Sequence, residues 1–136
     1  MCPTTNAQPA LEMSGVTQKI IAAVEDLMFK SKISETADTL GAESAFPRSP
    51  AKLLDAARDN RPDILILDLS SERFAPLELL RELSEDDDLS GIPTVGFLPH
   101  VEKDLAIAAR EAGCDKIMAR SAFTKDLPKI VAGEPV

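Results

Sequence analysis

The sequence predicts a single α/β domain built on a five-stranded, doubly wound parallel sheet in the order 2-1-3-4-5. Three observations carry this. Short apolar runs alternate with longer amphipathic stretches from Lys19 onward, each connection is long enough to hold a crossover helix, and the most continuous apolar run is the third of the five. A length of 136 residues is also the usual size of one domain.

The first predicted strand is Ile20-Ile21-Ala22-Ala23-Val24. After it, Phe29, Ile33, Ala37 and Leu40 recur at helical spacing on one inward face, and Gly41 supplies a left-handed stop. Ser44 to Arg48 reads as a weak second strand, which Pro47 confines to a sheet edge because proline cannot donate to a ladder. Ser49-Pro50 opens the second helix as N-cap and first helical residue, with Leu53, Leu54 and Ala57 inward. Arg61-Pro62-Asp63 breaks that helix. Ile64-Leu65-Ile66-Leu67 then lacks polar alternation, as a strand covered on both faces should.

A third helix spans Pro76 to Leu83 with Leu79, Leu80 and Leu83 inside, and the acidic run Glu85-Asp86-Asp87-Asp88 reads as a solvated helix end or loop. The fourth strand is Ile92 to Leu98. The fourth helix runs from Glu102 to Ala112, with Leu105, Ala108, Ala109 and Ala112 buried and Gly113 as its stop. Lys116 to Ala119 is the fifth strand. The last helix is expected to be short, near Asp126 to Val131, because Pro128 is tolerated in a first turn and not in a helix interior. Residues 1–16 read as a loose N-terminal tail, 17–133 as the domain and 134–136 as a C-terminal tail.

Composition narrows the function classes. Lys plus Arg number 15 against 23 Asp plus Glu, a formal charge of −8, and there is no Trp or Tyr. An acidic chain without a basic block lacks the cations that displace phosphate counterions and the aromatics that stack bases, so no nucleic-acid partner is expected. No long apolar run could span a bilayer, and Met1 to Ser14 has neither basic residues nor an apolar stretch, so the expected location is the cytoplasm. Cys2 and Cys114 have neither metal-ligand spacing nor the density of a disulfide framework, and Cys114 has no base partner to make it a nucleophile.

Ligands of a doubly wound sheet bind outside the carboxyl ends of the strands, where the strand order reverses between strands 1 and 3. Glu25 and Asp26 follow strand 1, Asp68 follows strand 3 and Arg120 follows strand 5. Carboxylates gathered at one point repel unless a cation neutralises them. An oxygen-only set suits Mg²⁺, which takes one or two carboxylates, keeps several waters and leaves room for a phosphate. Arg120 would add a fixed positive charge for the same anion. Each residue alone has a simpler use: Glu25 and Asp26 at the positive end of the first helix, an effect of about 0.3–1 kcal/mol, and Asp68 as a turn or cap. Those uses do not explain why the acids follow the two strands that meet at the switch point.

From about Lys19 to Val131 the chain resembles the receiver domain of bacterial response regulators. The resemblance lies in Val-Glu-Asp (24–26), Pro-Asp-Ile-Leu-Ile-Leu-Asp (62–68), Ile-Pro-Thr-Val (92–95) and Ala-Ala-Arg-Glu-Ala-Gly-Cys-Asp (108–115). It implies a flavodoxin-like (βα)5 three-layer sandwich with Asp68 as phosphoacceptor, Arg120 as charge partner of the phosphoryl group, and Mg²⁺ held by Glu25, Asp26, Asp68 and the backbone carbonyl of Ser70. It further implies a stand-alone, non-enzymatic receiver of a two-component phosphorelay, served by a sensor histidine kinase or a phosphotransfer protein.

The departures are specific. Leu98 stands where the family usually has Ser or Thr, Arg120 where it has Lys, Ser121 where it has Pro and Ile117 at the aromatic switch position. The loop after Asp68 also lacks the usual Met-Pro and Gly. They motivate an alternative of another class, a phosphorylation-independent pseudo-receiver acting as a protein–protein interaction module. A flavin binder is disfavoured, because Glu25-Asp26 sets negative charge where an FMN phosphate wants a hydroxyl- and glycine-rich nest. His100, just past strand 4, is a candidate modulator of the site. Only five residues follow Val131, so the signal is expected to leave through surface contacts to a downstream protein that the sequence does not name. The short last helix argues for a monomer or weak dimer.

Overall fold

Ile64-Leu65-Ile66-Leu67-Asp68 is buried at every position, as a strand must be at the centre of a sheet with helices on both faces. The computed structural model describes residues 18–99 and 102–132. Its elements are β1 (Lys19–Ala23), α1 (Leu27–Leu40), β2 (Glu43–Ala45), α2 (Pro50–Asp59), β3 (Ile64–Asp68), α3 (Pro76–Glu85), β4 (Thr94–Leu98), α4 (Lys103–Glu111), β5 (Lys116–Ala119) and α5 (Arg120–Val131). The strands form one parallel sheet in the order β2-β1-β3-β4-β5, as the sequence predicts.

Strand periodicity divides the core into the two faces of a three-layer sandwich. Leu65 and Leu67 pack with Leu53 and Ala57 of α2, Leu79, Leu80 and Leu83 of α3 and Ala109 of α4. Ile64 and Ile66 face the other way, onto Phe29, Ile33 and Ala37 of α1 and Phe123, Leu127, Ile130 and Val131 of α5. On that second face Phe97 of β4 stacks between Phe29 and Phe123, with ring centroids 5.2 and 4.6 Å apart.

The local start and stop signals act as expected. Ser49 caps α2 by accepting a hydrogen bond from Lys52 N at 3.2 Å, with Pro50 as the first helical residue. Gly41 ends α1 at φ 76°, a left-handed conformation that costs glycine nothing.

Four expectations are corrected. Helix α5 is not short: it begins at Arg120 and carries Pro128 in its interior. Pro128 is exposed, so its ring clears the core, while burial of Phe123, Leu127, Ile130 and Val131 offsets the roughly 3 kcal/mol that an interior proline costs. The argument from a short last helix to weak self-association therefore loses its basis. Leu40 is not inward but 46% exposed, as the last residue of α1 before the Gly41 cap. Strand β2 is only Glu43–Ala45, so Pro47 lies after it. Asp86, within the acidic run, is not merely solvated: it accepts hydrogen bonds from Arg58 Nη2 at 2.8 Å and Nε at 3.1 Å, tying α3 to α2. The Arg58 guanidinium holds its carboxyl below the usual carboxylate range.

Among the described residues no helix is long and apolar enough to cross a membrane. The expected tails 1–16 and 134–136, Cys2 and His100 lie outside the described residues.

Candidate functional site

Parallel register brings the predicted site residues to one edge. Ala23 pairs with Leu67, Asp68 with Phe97 and Leu98 with Ala119, so β1, β3, β4 and β5 end at the same side of the sheet. Glu25 and Asp26 leave β1 beside Asp68. Asp68 is only 8% exposed.

Each acid is engaged by its own protein donor. Asp26 is the N-cap of α1, accepting from Met28 N at 2.8 Å and Phe29 N at 3.4 Å, which satisfies two of the helix's unpaired amides. Asp68 Oδ1 accepts from the amide of Ser70 at 3.0 Å and from its hydroxyl at 2.6 Å. Glu25 accepts from the hydroxyl of the buried Ser71 and lies 3.6 Å from the Nε of Arg73. The loop from Leu69 to Ala75 is thus strapped over the acids. Its first residue is held by the Leu69 amide donating to the Phe97 carbonyl at 3.0 Å. Its last, Ala75, sits in the left-handed region at φ 43° directly before Pro76.

This differs from the converging set that the sequence suggests. Among the described residues no three acidic, histidine or cysteine side chains gather into a group able to hold a metal ion. Glu25, Asp26 and Asp68 share an edge, but capping, the Ser71–Arg73 strap and Ser70 have turned their oxygens toward protein donors. What suits a hard divalent ion is the donor chemistry, carboxylates from two adjoining strand ends; enclosing one requires Glu25 and Asp26 to exchange those partners.

Arg120 also departs from expectation. Its guanidinium carbon lies 5.0 Å from the centroid of the Phe29 ring, and its Nε is buried without a hydrogen-bond partner. Among the described residues it forms no ion pair with Glu25, Asp26 or Asp68. The reason is that Arg120 is the first residue of α5 rather than a loop residue, and contact of a cation with an aromatic face contributes about 0.5–2 kcal/mol there. Leu98 is fully buried among the residues facing α2–α4, where Ile117 also packs, and Ser121 is exposed in the first turn of α5.

Sequence reasoning missed the side chains of Ser70, Ser71 and Arg73. One signal was available: a Ser two residues after an Asp is the spacing at which an aspartate accepts a hydrogen bond within a turn.

Comparison with known proteins places the chain beside response regulators. No protein-family model matches the chain. The polar-differentiation response regulator DivK of Brucella anthropi is 27% identical over 103 residues, covering 75% of this chain and 84% of DivK. The chemotaxis response regulator CheY4 of Vibrio cholerae shares the fold with a TM-score of 0.75 at 15% identity, over 85% of this chain and 97% of that one. The Mn²⁺-bound form of the response regulator Rcp1 does so with a TM-score of 0.70 at 23% identity, over 85% of this chain and 90% of that one. The chain is thus similar in sequence to a response regulator and has the fold of CheY-like receiver domains. In this fold, the edge that carries Glu25, Asp26 and Asp68 is the carboxyl edge of the strands, and the loop over it is the β3–α3 loop.

Proposed function

We propose that this receiver of two-component signalling accepts a phosphoryl group on Asp68, assisted by a divalent cation such as Mg²⁺, from a sensor histidine kinase or a phosphotransfer protein. The observation that carries the reading is the position of Asp68: a nearly buried carboxylate at the carboxyl end of the central strand, with Glu25 and Asp26 just past the end of the neighbouring strand β1. Relatives support it, since Rcp1 has been seen with Mn²⁺ bound and DivK is a response regulator.

In the transfer, an oxygen of Asp68 attacks the phosphorus of a phosphohistidine or a small acyl phosphate. The bond from phosphorus to the donor breaks, its electron pair leaves with the donor atom, and an acyl phosphate remains on Asp68. Such transfer depends on positioning and charge neutralisation rather than on covalent help from the protein. A cation held by Glu25, Asp26, Asp68 and the Ser70 carbonyl would supply that neutralisation. Burial of Asp68 and the strap over it keep water away from the acceptor. The protein turns over no substrate in this reading; it holds the phosphoryl group as a signal.

Incubation with Mg²⁺ and acetyl phosphate, followed by intact-mass measurement, tests it. The expected result is a gain of one phosphoryl group by the wild type and none by Asp68→Asn. The same mass gain in both proteins, or none in either, would overturn the proposal.

A further inference from the structure

Two donors of one residue converge on one oxygen of the acceptor: the Ser70 amide and hydroxyl lie 3.0 and 2.6 Å from Asp68 Oδ1. No described residue donates to Oδ2. The terminal torsion of an aspartate is broad and roughly two-fold, so an unheld carboxylate presents either oxygen, at varied tilt, to an incoming phosphorus. The neighbouring elements supply no second constraint, because Leu98 at the end of β4 is fully buried in the core and the Ser71 hydroxyl is committed to Glu25.

We propose, resting on the phosphoacceptor reading, that Ser70 is the positioning residue for transfer, its hydroxyl fixing the Asp68 carboxylate so that Oδ2 attacks and Oδ1 becomes the carbonyl oxygen of the acyl phosphate. The balance is simple. The Oδ2–P bond forms, the bond between phosphorus and donor breaks with its electron pair going to the leaving group, and Ser70 keeps its proton throughout. A consequence follows for the loop: Oδ1 changes from a charged to a neutral acceptor, and a neutral hydrogen bond is about half as strong as a charge-assisted one. Modification of Asp68 therefore loosens the anchor of the β3–α3 loop at its first turn.

The test compares time courses of phosphoryl incorporation from acetyl phosphate and Mg²⁺ into the 136-residue chain by intact mass, for wild type, Ser70→Ala and Ser70→Thr. Circular dichroism confirms that all three are folded. Ser70→Ala is expected to slow incorporation about tenfold, equivalent to about 1.4 kcal/mol in the barrier, and Ser70→Thr, which keeps a hydroxyl, to return to within about twofold of wild type. Equal rates for wild type and Ser70→Ala would overturn the inference and leave Asp68 as acceptor. A Thr variant as slow as the Ala variant would also overturn it, since the hydroxyl would then not be the operative group. Absence of incorporation in the wild type would overturn the acceptor reading, and this inference with it.

Discussion

Gly96 of β4 packs closely against Leu69, the first residue of the β3–α3 loop. A Cβ at that position would stand 2.8 Å from both Cγ and Cδ1 of Leu69 and 3.0 Å from its Cδ2. Carbon atoms prefer about 3.5–4.0 Å, so Gly96→Ala forces Leu69 outward by close to an ångström. Leu69 has no easy retreat, being 3% exposed with its amide bound to the Phe97 carbonyl at 3.0 Å. Overpacking of this kind costs about 1–3 kcal/mol, and Tm should fall by about 4 °C for each kcal/mol in a domain of this size. Because Leu69 directly follows Asp68, incorporation from acetyl phosphate should slow as well. Urea denaturation of Gly96→Ala, Leu69→Ala and the double variant separates clash from general damage. Leu69→Ala alone should cost about 2–5 kcal/mol through the cavity it leaves, but in the double variant the two losses should fall short of additivity by at least about 1 kcal/mol. A Gly96→Ala loss under about 0.5 kcal/mol, or full additivity, would refute the reasoning.

Three further outcomes are expected. Ala75→Gly should stabilise the protein by about 0.5–1 kcal/mol by urea denaturation, because the left-handed conformation at φ 43° costs a non-glycine residue about 1–2 kcal/mol, against about 0.4–1 kcal/mol for the extra freedom of an unfolded glycine; a destabilised variant would show that the turn is not strained. The Asp86 carboxyl lies below its ordinary range through its hydrogen bond with Arg58, so its contribution to stability is complete above that range and is lost as pH falls through the folded value. Urea midpoints of wild type and Asp86→Asn should accordingly differ at neutral pH and converge in acid, and a constant difference would contradict the pairing. Burial pushes the Cys114 thiol up and its Sγ donates to the Lys116 carbonyl at 3.3 Å, so in a Cys2→Ser background a thiol reagent at mildly alkaline pH should react only on unfolding; rapid reaction of the native protein would show the thiol to be accessible.

The fold was legible because its signals are local or periodic. Unbroken apolarity in Ile64–Leu67 marked the central strand, and Gly41, Ser49 and Pro50 punctuated helices through their own backbone preferences. Helix α5 was misread for the opposite reason: the local cost of Pro128 is visible in sequence, whereas the burial of Phe123, Leu127, Ile130 and Val131 that outweighs it depends on the assembled sheet. The edge to which Glu25, Asp26 and Asp68 come was legible from strand order alone. Which donors its acids meet was not, since Ser71 and Arg73 reach Glu25 only through the conformation of the β3–α3 loop, and that includes a left-handed alanine no sequence rule would place there. The direction of Arg120 hinged on whether α5 begins at that residue or several later.

The most direct measurement is a Mg²⁺ titration followed by amide NMR on wild type and Asp68→Asn. If Glu25 and Asp26 exchange their present donors for an ion shared with Asp68, the wild type should show saturable shifts concentrated at residues 24–28 and 68–73, where those donors and Asp68 lie, and Asp68→Asn should lose most of them. Shifts that fail to saturate, or that persist unchanged in Asp68→Asn, would contradict a cation site at this edge.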